Sequence, residues 1–199
     1  LETLVLLWTL SGKIGTISGL NFFSQFKKIS HGENMNLGQI LAQELQYEAQ
    51  STRKMLERVP DQFAWQPHDK SMTLGRLATH VAEIPQWTRA TVTQDELDFA
   101  KTDYKPVTLG SAAELVEAFD KAVADSIELL QNVSDADLMR SWQLRNGEKV
   151  LLEMPKAMVV RSMVLNHLIH HRGQLSVYLR LNDVPLPSVY GPTADEQMF

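Results

Sequence analysis

The sequence predicts an all-α protein, an antiparallel four-helix bundle with a small β-hairpin before the last helix. Three observations carry that expectation. From Asn36 onward, apolar residues recur at three- and four-residue spacing in four long stretches. One segment only, Leu138 to Met154, reads as strand, with Asn146-Gly147 at its middle as a hairpin signal. No alternation of strand and helix suggests a parallel sheet.

Each element follows from local chemistry. Asn36 is placed to cap a first helix whose Ile40, Leu41, Leu45, Tyr47, Thr52, Met55, Leu56 and Val59 share a face, and Pro60-Asp61 ends it. A polar loop follows, pinned by Phe63 and Trp65. Thr73 caps the second helix, with Leu74, Leu77, Val81, Ile84 and Trp87 on one side and Pro85 expected to kink it. Residues 94–110 read as loop, with a helical turn near 95–100. Ser111 and Glu114 form a capping box for a third helix that turns Leu115, Phe119, Val123, Ile127 and Leu130 inward. After the hairpin, Pro155 suits the first turn of a fourth helix running to about Asn182. The tail, VPLPSVYGPTADE, is extended and Pro-rich.

Composition removes several function classes. The 199 residues are 44% hydrophobic and 22% charged, enough for one domain with a sizeable core. Nineteen basic against twenty-four acidic side chains give −5, with no Lys/Arg block, so nucleic acid is not an expected partner. With no cysteine there is no disulfide, no thiolate nucleophile and no Cys-ligated metal. Any metal must be held by His, Asp or Glu, and any thiol must come with a substrate.

Residues 1–34 read differently. The apolar run Leu4 to Leu10 is too short to span a bilayer, and Lys13 interrupts it. It also lacks the basic start and small-residue cleavage site of a secretory signal. Gly32-Glu33-Asn34 can be encoded by a ribosome-binding sequence directly ahead of Met35. The expectation is therefore an extension at 1–34 that is translated upstream sequence, and a bundle domain at 35–199. The alternative is a true N-terminal arm covering an apolar groove or a dimer partner.

Five of the six histidines follow Met35, and three of them lie in NHLIHHRGQL. At about 100° per residue, His167 and His171 lie about 40° apart around the fourth helix, on the stripe of Val160, Val164, Gln174 and Tyr178. Two imidazoles one turn apart can share a metal ion. On the second helix His80 shares its face with Leu77, Ile84 and Trp87, so it points inward. One His from the second helix and two from the fourth would make a three-imidazole constellation with coordination positions left open. Buried histidines satisfied by hydrogen bonds are the competing reading. A zincin-type protease is excluded, since Leu168 stands where its general base would follow the first His.

The residues HxxHHRGQL, the earlier LxxHVAExxxW helix and the PxPSxYGP-like tail together resemble the DinB-like family of small bacterial proteins, from about Met35 to Thr193. The resemblance implies a homodimeric four-helix bundle, and a start at Met35, with no targeting signal after it, leads to the expectation of a cytoplasmic protein. It also implies a divalent metal ion, zinc or nickel, held by His80, His167 and His171. Similar proteins include low-molecular-weight-thiol S-transferases, and others described as metal-dependent hydrolases or as DNA-damage-inducible. The implied partners are a small electrophilic substrate and a low-molecular-weight thiol. The alternative is a stress-inducible helical dimer that binds metal without turnover.

Around the triad, Gln174 is placed to orient a ligand or simply to bond a neighbouring backbone group. Glu83 is placed to fix an imidazole or to stand solvated. Tyr178 and Trp87 are expected to pack the core, and Arg172 to be an exposed arginine or to attract an anionic cosubstrate. His170 is expected beside the ligands without being one, and His68 and His31 have no role. Apolar Leu165, Leu168, Ile169 and Leu179 around the fourth helix agree with either a dimer or further contacts within the chain.

Overall fold

The computed structural model describes residues 35–102 and 105–197, so the expectations for residues 1–34 lie outside the described residues. Helix α1 spans Leu37–Leu56 and opens with a capping box: Asn36 Oδ1 accepts from the Gln39 amide at 2.8 Å, and Gln39 Oε1 accepts from the Asn36 amide at 3.0 Å. Helix α2 spans Leu74–Glu83, capped by Thr73. A tight 3₁₀ turn at Ile84–Gln86 then leads into α3, Trp87–Thr93. Pro85 causes this break, because it has no N–H to continue the helical ladder.

Strand β1 is only Glu96–Asp98, followed by a 3₁₀ turn at Phe99–Lys101, so the helical turn expected near 95–100 is half strand. Helix α4 spans Ala112–Asn132, with Ser111 as its cap. The Glu114 carboxylate reaches back to the Gly110 amide at 2.9 Å. A short helix α5, Asp135–Leu138, ends on the first residue of the segment that the sequence suggested was strand. Its Asp135 carboxylate accepts from the Leu37 amide at 2.8 Å and ties down the start of α1.

The expected lone hairpin needs correction. Strands β2, Ser141–Asn146, and β3, Lys149–Pro155, do pair antiparallel, but β1 joins β2 in parallel, with Leu97 opposite Leu144. The result is a mixed three-stranded sheet in the order β1-β2-β3. The turn residues are Gly147-Glu148, since Asn146 still pairs with Lys149. Gly147 takes φ +62°, the left-handed setting that a type II′ hairpin asks of its first central residue.

Pro155 ends β3 and is followed by one continuous helical stretch in three parts. These are α6, Lys156–Val159, a wider π-helical segment at Val160–Asn166, and α7, His167–Leu181. The chain is thus mostly helical. Helix α1 packs on α4 and α7, and α2 packs on the same two. Gly38 permits the close approach of α1 to α4, for a Cβ there would stand 2.2 Å from the Leu130 carbonyl oxygen.

One apolar core, including Leu41, Leu45, Leu77, Leu115, Leu168 and Leu175, joins the helices. Trp142, Leu144 and Val159 form a second cluster beneath the sheet, and Trp87 packs on both. Leu165, Leu168 and Leu179 are fully buried within the chain, so contacts inside the protein account for their apolar character. Among the described residues no helix is long and apolar enough to cross a membrane.

Candidate metal centre

His80 lies in the last turn of α2, and His167 and His171 in the first two turns of α7, where the two helices pack together. The fully buried stripe of the last helix runs Leu165, Leu168, Arg172, Leu175, Leu179. The two histidines stand on its flank, half-buried. The stripe on which the sequence placed them climbs from buried Val160 and Val164, through His167 and His171, to exposed Gln174. The rings are therefore anchored in the core at one side and open to solvent at the other.

Their ring nitrogens converge. His80 Nε2 lies 3.3 Å from His167 Nε2, and His171 Nε2 lies 2.9 Å from the same atom. One ligand atom from each of the three falls within 4.8 Å of the others, so the cluster could hold a metal ion. Metal–nitrogen bonds of about 2.0–2.1 Å place two ligand nitrogens about 3.3 Å apart at a tetrahedral angle and about 2.9 Å apart at a right angle. The donor set and these two distances are compatible with a divalent cation.

Proton placement favours the same reading over a hydrogen-bonded trio. Gln174 Oε1 faces His171 Nδ1 at 2.7 Å, which puts the ring proton on Nδ1 and a lone pair on Nε2. His167 Nε2 then meets two other ring nitrogens, yet it carries either one proton or one lone pair. As a donor it satisfies His171 and leaves His80 at best a share of the same proton. As an acceptor it faces the His171 lone pair. A cation takes all three lone pairs together.

Electrostatics keep the rings neutral. Burial, then the neighbouring imidazoles of His171 and His167 and the Arg76 guanidinium, push the His80 pKa down to about 4. Burial also lowers His167, opposed by the nearby Met163 carbonyl and reinforced by His170. His171 is lowered by burial against the Gln174 bond, with His167 and His170 adding to the effect. Metal ligation needs the deprotonated ring, and here that form prevails at neutral pH.

The surrounding residues divide clearly. Gln174 takes the orienting position. His170 is exposed and sets its ring edge-on to His171 at 4.8 Å, outside the ligand set. Glu83 forms an ion pair with Arg76 at 3.2 Å. Tyr178 packs edge-on against Trp65 and donates to the Met72 carbonyl, while Trp87 packs into the core, both as expected.

Arg172 reverses its expectation. It is 3% exposed, paired with the equally buried Glu48 at 2.7 Å and bonded to Ser51 and Tyr190. The sequence carried no signal for Glu48, Ser51 or Tyr190 as its partners, which lie up to 124 positions away in the chain.

A mostly helical chain that gathers three neutral imidazoles from two packed helices defines a class, the helical proteins with a three-histidine candidate metal centre. The chain belongs to the DinB family, whose sequence pattern matches residues 33–197. It is 28% identical over 158 residues to the uncharacterized protein YrdA of Bacillus subtilis (strain 168), covering 76% of this chain and 86% of that one. A crystal structure of a DinB-like protein from Bacillus cereus ATCC 10987 matches with a TM-score of 0.60 at 25% identity, over 75% of this chain and 95% of the other. The DinB-like protein YjoA of Bacillus subtilis matches with the same TM-score at 16% identity, over 75% and 97%, and shows the shared fold.

Proposed function

We propose that the protein binds a divalent metal ion, zinc or nickel, through His80, His167 and His171, and that it is a metal-dependent enzyme. Its reaction would be thiol S-transfer to, or hydrolysis of, a small electrophilic substrate. The observation that carries the reading is the convergence of three imidazole nitrogens whose lone pairs no mutual hydrogen-bonding scheme satisfies. The four long helical stretches are read, in the same proposal, as an antiparallel bundle.

When bound, a divalent cation makes a coordinated thiol or water acidic enough to act as a nucleophile at neutral pH. The protein's own residues do the rest. His80, His167 and His171 offer neutral nitrogens because burial disfavours their protonation. Gln174 holds the His171 proton on Nδ1 and so aims Nε2 inward. Three protein ligands leave room for a substrate atom, and the solvent-facing side of the cluster gives it a path of approach. The chain has no cysteine, so a thiolate nucleophile would arrive with the substrate.

The test is turnover of a generic aromatic electrophile by metal-loaded protein with a panel of low-molecular-weight thiols. The expected result is thiol-dependent product formation that chelation or His80→Ala abolishes. Metal-loaded protein inactive with every thiol, and inactive toward ester and amide substrates, would contradict the enzyme reading. A cytoplasmic homodimer is part of the same proposal, and light scattering of the purified protein tests its stoichiometry.

A further inference from the structure

The PLPSVYGP tail has no part in the metal reading, yet its tyrosine reaches the helix that carries two of the three histidines. Arg172 directly follows His171 on α7. Its Nη1 pairs with Glu48 Oε2 at 2.7 Å and lies within bonding distance of Ser51 Oγ at 2.6 Å, the Glu48 carbonyl at 3.1 Å and Thr52 Oγ1 at 3.3 Å. Its Nη2 donates to the Tyr190 hydroxyl at 2.7 Å. That hydroxyl donates in turn to Glu48 Oε2 at 2.6 Å, closing a three-member ring of contacts. The guanidinium also stands 5.1 Å from the Tyr190 ring centre.

We infer that Arg172, clamped by Glu48 and Tyr190, is a positioning residue for the three-histidine centre, and that Tyr190 fixes the rotation of α7 through it. The inference rests on the metal reading above. A buried ion pair is tolerated only when its hydrogen bonds are complete, so a rigid guanidinium fork with partners on both arms admits one setting of α7 against α1. A turn of α7 by about 10° would move an imidazole at the helix surface by about 1 Å. Metal–ligand bonds tolerate only about 0.2 Å. The clamp therefore acts on the site without touching it.

Tyr190→Phe removes the phenolic oxygen and keeps the ring. Asp195→Asn loosens a second link between the tail and α7, the bridge to Arg180 near the far end of that helix, and leaves the Arg172 contacts in place. Both are followed by the imidazole carbon–proton resonances of His80, His167 and His171 in metal-free protein, by Co²⁺ affinity, and by thermal melting. The expected result is that Tyr190→Phe shifts the His167 and His171 resonances, leaves His68 in place and weakens Co²⁺ binding about threefold or more. Asp195→Asn lowers the melting temperature but moves neither rings nor affinity. Unchanged rings and affinity in Tyr190→Phe would overturn the inference, as would equal changes in Asp195→Asn. If the wild type took up no Co²⁺, the metal reading would fall, and the ring resonances alone would still decide whether the clamp positions the histidines.

Discussion

Replacing Gln174 by Leu tests how much of the site's affinity depends on a residue that touches no metal. Its Oε1 makes a single 2.7 Å bond, to His171 Nδ1, and the side chain is exposed. Loss of stability should be small for that reason, within about 0.5 kcal/mol for an exposed position. The effect on metal binding should be larger, because the bond fixes both the tautomer and the ring direction. Partners of this kind are worth about 10- to 100-fold in affinity. Solvent competes for an exposed hydrogen bond, which places Gln174 at the low end, about tenfold or roughly 1.4 kcal/mol. The assay is a Zn²⁺ titration against a competing chelator, with His171→Ala as the reference for a lost ligand. An affinity within twofold of wild type, while His171→Ala loses binding, would refute the orienting role.

Other outcomes follow from the same structure. The folded chain holds its site histidines below the usual value of 6.5, with His80 at about 4, so it binds fewer protons than the unfolded chain between those limits. Metal-free protein should accordingly lose stability as pH falls from about 6.5 towards 4, and His80→Gln should flatten that slope in urea titrations across the window. A slope unaffected by the substitution would show that His80 is not held neutral by the fold. Gly38→Ala drives a Cβ into the Leu130 carbonyl and should cost about 1–3 kcal/mol, read as a lower melting temperature. Trp142→Ala empties the cluster under the sheet and breaks the indole bond to the Ala90 carbonyl, so chemical denaturation should show a loss of about 3–5 kcal/mol.

The parts of this molecule legible in its sequence are those written in local chemistry. Asn36, Thr73 and Ser111 mark helix starts because their side-chain oxygens accept the first free amides, and they cap in the structure as their positions suggest. Pro85 breaks its helix because it lacks a donor. Helix periodicity put His167 and His171 on one side of their helix and His80 on an inward face of its own, while joining the three into one set took the family resemblance, and in the structure it is the packing of α2 on α7 that brings them together.

What escaped depends on partners distant in the chain. Strand β1 is three residues long, and its place is set by backbone pairing with β2 rather than by a pattern of its own. Arg172 reads as a surface arginine until Glu48, Ser51 and Tyr190 surround it. The hairpin turn slipped by one residue, because Asn146-Gly147 and Gly147-Glu148 both offer the glycine that the left-handed position needs, and cross-strand register chose between them.

The central claim is that His80, His167 and His171 hold a metal ion. Elemental analysis tests it most directly, on untagged protein purified without chelator beside a His167→Ala/His171→Ala double variant. The expected result is close to one zinc or nickel ion per wild-type chain and none in the variant. Wild-type protein that is folded, carries no metal and refuses added Zn²⁺ and Ni²⁺ would contradict it.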